Sequence, residues 1–261
     1  MAFEINKKPI IIAGPCSVES EEQIMKIAQE LSKRGIKFLR GGAYKPRTSP
    51  DSFQGLGKKG AMLLKKAADK HGMKTVSEVL TIEQLKESFD YIDIIQIGAR
   101  NMASFGLLKE IGELTAEDKK PIIFKRGFGS TIKEFVAASG YLSDKGNENI
   151  IFCLRGIRTF EQSDSSFRFT PDIASVIELK EKSSYPVIFD PSHSGGKRKY
   201  VKDLSVAALS IGADGLIVEV HDNPDSALSD KDQQLNFDEF NSLMDELEKI
   251  ILSNRSFQNQ V

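Results

Sequence analysis

The chain has 261 residues, 40% of them hydrophobic, which is enough for one large domain with a sizeable core. Its 36 Lys and Arg nearly balance 37 Asp and Glu, so the net charge of -1 excludes a global basic field for nucleic acid or acidic lipid. No apolar run is long enough for a membrane span or a signal peptide, and two cysteines make no disulfide framework. These features predict a cytoplasmic protein without nucleic-acid or membrane partners.

Short β-rich segments alternate with amphipathic helical segments along the whole chain. The predicted strands are residues 10–13, 37–40, 74–77, 92–97, 121–124, 150–154, 187–189 and 215–219. The predicted helices include residues 21–34, 58–71, 81–89, 132–139, 171–180, 201–211 and 237–252. Such alternation indicates βαβ units, and eight units in about 250 residues predict an α/β fold, a single (β/α)8 TIM barrel formed by residues 1–261.

An open, doubly wound sheet is the alternative fold. Residues 55–60, GLGKKG, match the pattern GxGxxG, and Glu78 lies near the spacing of a ribose-binding acid. The dinucleotide fingerprint requires a strand directly before it, whereas residues 45–54 form a loop rich in Pro and Ser. A dinucleotide site is therefore disfavoured.

The ends of the predicted strands collect ionisable side chains and possible metal ligands. In chain order these are Cys16, Arg40, Glu78, Arg100, Lys125, Arg155, Asp190 with His193, and Glu219. The seventh strand runs into a predicted loop that carries His193 and a Gly-Gly pair. Because barrel enzymes form their active sites at the carboxyl ends of the strands, the sequence predicts a charged site in the barrel mouth.

One part of this set has the chemistry of a metal site. Cys16, His193 and Glu219 offer sulfur, nitrogen and oxygen, and the segment after the eighth strand adds the carboxylates of Asp222, Asp225 and Asp230. Mixed soft and hard ligands suit Mn, Fe, Co or Zn better than Mg or Ca. Taken alone, a buried Cys more often only packs in the core, and an Asp in such a loop more often caps a helix or turn. His71 is predicted to end a helix, and His221 is either near the site or solvated.

The other part is a cluster of cations at the same end of the barrel. Its members are Arg40, Lys45, Arg47, Arg100, Lys125 and Arg155, with Lys197 and Arg198 nearby. Such a cluster would repel itself unless anions occupy it, and Arg pairs well with phosphate and carboxylate oxygens. The alternative is a set of salt bridges, for which only Glu78, Asp190 and Glu219 are suitably placed. The excess of cations favours two small phosphorylated substrates.

The chain resembles 3-deoxy-D-arabino-heptulosonate 7-phosphate (DAHP) synthases along almost its whole length. The resemblance rests on GPCS (14–17), LRGGAYKPRTSP (39–50), SFQGLG (52–57), IGARNM (97–102), FKRG (124–127), CLRGIRTF (153–160), DPSHSGG (190–196) and EVHDNPDSALSD (219–230). Within the DAHP synthases, the chain is most similar to the branch that also resembles 3-deoxy-D-manno-octulosonate 8-phosphate (KDO8P) synthases. The resemblance implies a (β/α)8 barrel that condenses phosphoenolpyruvate with erythrose 4-phosphate in the first step of the shikimate pathway.

The resemblance also implies roles for individual residues. The ligands of one divalent metal ion, with Mn favoured among Mn, Fe, Co and Zn, would be Cys16, His193, Glu219 and Asp230. The contacts to phosphoenolpyruvate would be Arg40, Lys45, Arg100, Lys125 and Arg155. Arg47 and Thr48 would bind the phosphate of erythrose 4-phosphate, and this motif favours the four-carbon aldehyde over the arabinose 5-phosphate of KDO8P synthases. The candidate catalytic residues are Lys45, Glu78 and His193.

Further expectations follow from the resemblance. A homo-oligomer, either a tetramer or a dimer, is expected. The chain leaves no room for an appended regulatory or chorismate mutase domain, which predicts weak or absent feedback inhibition. Two other classes stay open: a Schiff-base aldolase that uses Lys125, and a barrel that serves only as a binding scaffold.

Overall fold

The computed structural model describes residues 9–46, 49, 51–160 and 168–258 of the chain. Within them, eight parallel strands form one closed barrel in which each strand pairs with its neighbours in the chain. The strands are β1 (Ile10–Gly14), β2 (Phe38–Arg40), β3 (Lys74–Val79), β4 (Ile94–Ile97), β5 (Ile122–Lys125), β6 (Ile150–Leu154), β7 (Val187–Phe189) and β8 (Gly215–Glu219). Pairing of Ile10 with Gly215 and of Gly14 with Glu219 closes the barrel between β1 and β8. The predicted barrel is confirmed, and the open-sheet alternative is wrong.

Helices connect successive strands. They are α1 (Glu21–Lys33), α2 (Lys58–Lys70), α3 (Ile82–Ser88), α4 (Phe105–Leu114), α5 (Ile132–Ser143), α6 (Ser175–Lys182), α7 (Pro191–Gly195), α8 (Arg198–Ser210) and α9 (Phe237–Gln258). Within the described part of the chain, no helix combines the length and apolar character needed to cross a bilayer. The prediction that residues 171–180 are helical is partly wrong, because α6 begins only at Ser175.

Two helices were absent from the sequence prediction. The apolar face of α4 is regular, but Gly106 and Gly112 lower its helix propensity. The single turn α7 occupies residues that were predicted as loop. Asp190 caps its first turn, Pro191 takes a first-turn position that needs no N–H donor, and Gly196 ends it with φ +70°. Five residues are too few for a hydrophobic period, so only these end signals could have revealed α7.

The core consists of two shells. Inside the barrel lie aliphatic side chains and one thiol, from Ile10, Ile12, Val76, Ile94, Ile123, Ile151, Cys153, Ile188 and Ile217. Residues of the opposite strand face pack outwards against the helices, where the ring of Phe135 lies 5.1 Å from that of Phe124 and 4.7 Å from that of Phe152. Since the barrel interior is filled by apolar layers, the next inward-facing positions lie at its mouth.

Candidate active site

Seven strands place a polar side chain at the inward-facing position directly above the apolar layers. Each lies two residues beyond an interior hydrophobic residue or thiol, as the period of a strand requires. In chain order they are Arg40, Glu78, Gln96, Lys125, Arg155, Asp190 and Glu219. β1 has Gly14 at the corresponding position, since a Cβ there would lie 2.0 Å from the carbonyl oxygen of Arg40. The strand period thus concentrates charge at one end of the barrel.

Four possible metal ligands converge on one side of this mouth. One ligand atom from each of Cys16, Glu219 and Asp230 lies within 4.8 Å of the other two. His193 Nε2 lies 3.6 Å from Glu219 Oε1 and 3.7 Å from Asp230 Oδ2. Cys16 and Glu219 are fully buried. The structure therefore brings together all four residues that the family resemblance implies as ligands.

The residues after β8 hold these ligands in place. The Cys16 N–H donates to Gln234 Oε1 at 2.8 Å, and Gln233 Nε2 donates to Glu219 Oε2 at 2.5 Å. From α7, Ser192 adds a further contact, since the Glu219 N–H donates to its Oγ at 2.9 Å. The sequence analysis missed these three supporting residues; the signal for Gln233 and Gln234 was that two adjacent glutamines lie close to a predicted ligand.

Burial and charge set the protonation of the ligand cluster. Burial, reinforced by the charge of Glu219, raises the pKa of Cys16 to about 12, so the thiol is neutral when no metal ion is bound. Burial alone would raise the pKa of Glu219, but His193 and Arg40 lower it below its ordinary value. Burial would likewise raise the pKa of Asp230, and Arg168 with His193 lowers it. The pKa of His193 is lowered because burial disfavours the imidazolium. The imidazole and carboxylates are thus in their metal-binding forms at neutral pH.

This donor set fits a divalent transition metal. Among the described residues, Glu219 Oε1 is buried without a hydrogen bond of regular geometry, although Arg40 Nη1 lies 3.0 Å away. One thiol, one imidazole nitrogen and two carboxylates match the mixed ligands that such ions accept. A bound cation would also reverse the preference of Cys16 for the neutral thiol, since a coordinated thiol is deprotonated.

Three cations of the mouth lie against the ligand cluster or beside it. Arg40 pairs with Glu219, and Lys125 Nζ lies 2.5 Å from Asp190 Oδ2. Lys45 Nζ donates to the sulfur of Cys16 at 2.9 Å. Of the three acids suited to pair with the cluster of cations, Asp190 and Glu219 form salt bridges. The alternative interpretation of the cluster as a set of salt bridges is therefore correct in part.

Arg100 and Arg155 form a second group on the opposite side. Within the described residues neither makes an ion pair with an acid, and Arg155 Nη1 is buried without a hydrogen bond. Both guanidinium groups lie over the ring of Phe128, at 5.7 and 4.8 Å from its centroid, and Arg155 lies 3.9 Å from the ring centre of Phe169. Burial lowers the pKa of Arg155 to about 10, yet it stays charged at neutral pH. Two cations without acidic partners, of which Arg155 is buried, indicate an anion site.

A cavity of about 330 Å³ joins the two groups. Its lining contains the predicted residues Lys45, Glu78, Arg100, Arg155, His193 and Asp230, together with Ser49, Ser52 and Arg168. This volume and polar lining suit small, highly charged substrates. Arg47 and Thr48 lie outside the described residues, although their neighbours Pro46 and Ser49 line the cavity.

Glu78 and Arg168 both line the cavity. Gln96 Nε2 donates to Glu78 Oε2 at 3.0 Å, and Gly98 leaves room for the carboxylate, since a Cβ there would lie 1.9 Å from Glu78 Oε1. Arg168 was not predicted as a site residue. Its Nη1 lies 3.0 Å from Asp230 Oδ2 and donates to Gln233 Oε1 at 2.5 Å.

Other candidates lie away from the ligand cluster. Asp222 pairs with Lys26 at 3.1 Å and Asp225 with Arg198 at 2.6 Å, and neither belongs to the group of converging ligand atoms among the described residues, so their interpretation as further oxygen donors is wrong for the described structure. His71 caps the end of α2 as predicted. His221 is buried, and its Nδ1 accepts the N–H of Asn223. The described residues 51–54, directly before the GxGxxG segment, form no strand, so the structure does not support the dinucleotide fingerprint.

Comparison with known proteins agrees with this geometry. The model of the DAHP synthetase I family matches residues 5–253. A phospho-2-dehydro-3-deoxyheptonate aldolase of Thermotoga maritima is 52% identical over 240 residues, which cover 92% of this chain and 69% of that protein. A crystal structure of a Thermotoga maritima protein with the same name superposes with a TM-score of 0.90 at 50% identity, covering 95% of this chain and 71% of the other. A 2-dehydro-3-deoxyphosphooctonate aldolase of Geobacter sp. (strain M21) is 31% identical, with 92% of this chain and 91% of that protein covered.

Proposed function

Because the chain belongs to the DAHP synthetase I family, we propose that its barrel mouth condenses phosphoenolpyruvate with erythrose 4-phosphate and water, giving DAHP and phosphate. The chain is an enzyme of the DAHP synthase type, and this reaction is the first step of the shikimate pathway. The observation that carries the residue assignment is the convergence of four metal-ligating side chains beside two arginines that make no ion pair among the described residues. The identity of 52% to a heptonate aldolase, against 31% to an octonate aldolase, favours the four-carbon substrate over arabinose 5-phosphate.

The proposed metal ligands are Cys16, His193, Glu219 and Asp230. They would hold one divalent ion, for which Mn is favoured among Mn, Fe, Co and Zn. When bound, the ion would polarise the aldehyde carbonyl of erythrose 4-phosphate as a Lewis acid. Support comes from the buried oxygen of Glu219 and from the imidazole nitrogen of His193 that faces both carboxylates.

The proposed site for phosphoenolpyruvate lies between the two groups of cations. Arg100 and Arg155 would bind its phosphate, because neither has an acidic partner within the described ranges. Arg40, Lys45 and Lys125 would hold its carboxylate and place the methylene carbon towards the aldehyde. Arg47 and Thr48 are proposed to bind the phosphate of erythrose 4-phosphate, and their neighbours in the cavity wall support this position.

Two residues are proposed to move protons. Glu78 would orient the water that attacks C2 of phosphoenolpyruvate and take a proton from it, and Gln96 holds its carboxylate at the cavity wall. Lys45 would donate a proton to the aldehyde oxygen as the new carbon–carbon bond forms. Its ammonium lies beside Cys16, so it approaches the substrate from the metal side.

The decisive assay measures phosphate release from phosphoenolpyruvate by protein treated with EDTA, before and after addition of Mn. Erythrose 4-phosphate and arabinose 5-phosphate are offered in parallel. We expect turnover that requires the metal and the four-carbon aldehyde. Preference for arabinose 5-phosphate would overturn the substrate assignment, and activity that ignores the chelator would overturn the metal assignment.

A Schiff-base aldolase that uses Lys125 makes the opposite prediction for two reagents. Borohydride would inactivate it in the presence of substrate, and EDTA would leave it active. A scaffold barrel would release no phosphate at all. The contact between Lys125 and Asp190 and the metal ligands beside it favour the metal-dependent reaction.

Three broader properties complete the proposal. We infer that the barrel acts as one catalytic domain in the cytoplasm, and the two free, buried cysteines support a reducing compartment. The family resemblance supports a homo-oligomer, either a dimer or a tetramer, which light scattering coupled to gel filtration would measure.

A further inference from the structure

We propose that Asp190 is a positioning residue that orients the metal ligand His193 and the substrate-binding Lys125 at the same time. The proposal rests on the proposed function, because it concerns the metal site and the phosphoenolpyruvate site defined there. In this proposal Asp190 contacts neither the metal ion nor phosphoenolpyruvate directly. It would act through the two side chains that its carboxylate contacts.

The first contact fixes the imidazole of His193. Asp190 Oδ2 lies 2.9 Å from His193 Nδ1. The contact is not a hydrogen bond of regular geometry, but a lone pair on Nδ1 would be repelled by the carboxylate at this distance, so the proposal assigns the proton to Nδ1. The proton-free Nε2 therefore faces the carboxylates of Glu219 and Asp230. A histidine that binds a metal through one nitrogen commonly donates its other N–H to a carboxylate, which sets both tautomer and ring orientation.

The second contact fixes Lys125. The same oxygen, Asp190 Oδ2, lies 2.5 Å from Lys125 Nζ. Lys125 is 5% exposed at its side chain, and the carboxylate of Asp190 is inaccessible to solvent. A buried ammonium without this partner would carry a large desolvation penalty. The pair thus fixes the position of the Lys125 ammonium at the carboxyl end of β5.

Local structure makes Asp190 rigid enough for this role. Asp190 Oδ1 accepts the backbone N–H of His193 at 2.9 Å, which caps α7. The backbone N–H of Asp190 donates to Leu154 O at 2.8 Å and so extends the pairing of β7 with β6. Both carboxylate oxygens therefore have defined partners, and the one-turn helix places Asp190 and His193 on adjoining sides of the mouth.

The variant Asp190→Asn tests the proposal because Asn has nearly the same volume. Its amide has one acceptor and one NH2 group, whereas both oxygens of Asp190 face donors. In either amide orientation an NH2 group meets an N–H or an ammonium. When the NH2 group takes the place of Oδ2, the other tautomer of His193 would relieve the contact with Nδ1, and this tautomer removes the metal-binding lone pair from Nε2. We expect metal affinity to fall about 10- to 100-fold.

The matched control is Asp172→Asn. The residue after Lys125 offers a second Asp–cation pair, since the buried Arg126 has its Nη1 2.6 Å from Oδ2 of Asp172, whose side chain is 27% exposed. In this pair the cation contacts Ser175 and the Ser130 carbonyl instead of the proposed ligands. We expect Asp172→Asn to keep metal and phosphoenolpyruvate affinities within about twofold of wild type, although it removes a comparable charge pair.

The measurement needs no turnover. Metal affinity is obtained by chelator competition with Co²⁺ or Mn²⁺, and phosphoenolpyruvate affinity by calorimetry at saturating metal. The expected result is a loss of both affinities in Asp190→Asn and of neither in Asp172→Asn. Wild-type affinities in Asp190→Asn would overturn the proposal, as would equal losses in the two variants. Failure of the wild-type protein to bind metal would instead overturn the proposed function.

A second measurement uses the unaltered chain in case Asp190→Asn does not fold. The chain has three histidines, so ¹⁵N-imidazole spectra of the metal-free protein can be assigned with His71→Gln and His221→Gln variants. We expect His193 to be in the Nδ1–H tautomer, the minor form of free histidine. Observation of the Nε2–H tautomer would overturn the proposed role of Asp190.

Discussion

At the amino-terminal ends of the strands, partly buried acids link neighbouring strands, whereas at the carboxyl ends buried charges outnumber their partners. Asp93, just before β4, accepts the N–H of Thr75 at the start of β3 at 2.9 Å. Asp214, just before β8, accepts the N–H of Val187 at the start of β7 at 2.8 Å and pairs with Lys180 at 2.7 Å. The same arrangement thus occurs in two pairs of neighbouring strands, β3 with β4 and β7 with β8.

The mouth does not follow this arrangement. Arg155 is buried without an acidic partner among the described residues, and Cys16, Glu219 and Asp230 crowd one another. Substitutions at the lower end should therefore reduce stability and leave turnover intact. Substitutions at the mouth should reduce activity and, where they remove an uncompensated charge, increase stability.

The largest effect is expected for Cys16→Ala at the mouth. Loss of the sulfur ligand should reduce metal-dependent phosphate release by on the order of 10³ or more, because Lewis-acid stabilisation amounts to several kcal/mol. Cys153→Ala is the control, since Cys153 is equally buried but lies in the apolar layer of the barrel. Metal content and phosphate release would be measured for both. Full activity of Cys16→Ala would contradict the metal assignment.

A smaller loss is expected for Glu78→Gln. Gln preserves the shape of the side chain but cannot take a proton from water, so kcat should fall about 100-fold, while the KM for phosphoenolpyruvate changes little. Steady-state kinetics at saturating Mn separate the two parameters. A near-normal kcat would show that Glu78 has no such role.

Arg155→Met should separate activity from stability. The substitution removes a contact to substrate phosphate, so kcat/KM for phosphoenolpyruvate should fall about 10- to 100-fold. It also removes a buried charge and keeps an apolar stem between the rings of Phe128 and Phe169. We therefore expect an unchanged or higher melting temperature. A clear fall in melting temperature would contradict the contrast between the two ends of the barrel.

The smallest effect is expected for Asp93→Asn at the lower end. Burial alone would raise the pKa of Asp93, but hydrogen bonds from Thr75 and the charges of Lys65 and Lys74 lower it. Because its side chain is partly exposed, we expect the free energy of unfolding at pH 7 to fall by only about 1–2 kcal/mol. Turnover should not change.

The pH dependence of this difference follows from the sign of the shift. A carboxyl with a lowered folded pKa contributes its full stabilisation above its unfolded pKa of about 3.9 and loses it as the pH falls through the folded value. The difference in the free energy of unfolding between wild type and Asp93→Asn should therefore become smaller as the pH falls. Urea unfolding at pH 7 and pH 3 measures it, and a difference of constant size would contradict this assignment.

The sequence by itself determined the barrel and the end of it that carries the site. Strand and helix periods are local, so all eight strands could be predicted before the structure was known, with boundaries within a few residues. The position two residues beyond an interior Ile or Cys was enough to predict that Lys125, Arg155 and Glu219 face the mouth. Family motifs then supplied the activity, which the comparisons support.

Only the tertiary structure decided which charges meet. Lys125 and Asp190 are 65 residues apart, and Cys16 and Asp230 are 214 residues apart. Local periodicity has no information on such pairs, because the pairing of β5, β6 and β7 brings the first together and the closure between β1 and β8 the second. For the same reason Arg168 and Gln233 escaped the sequence analysis, and Asp222 and Asp225 were wrongly included. Residue type and strand period determine at which end of the barrel charged side chains accumulate, whereas the closed sheet determines which of these side chains contact one another.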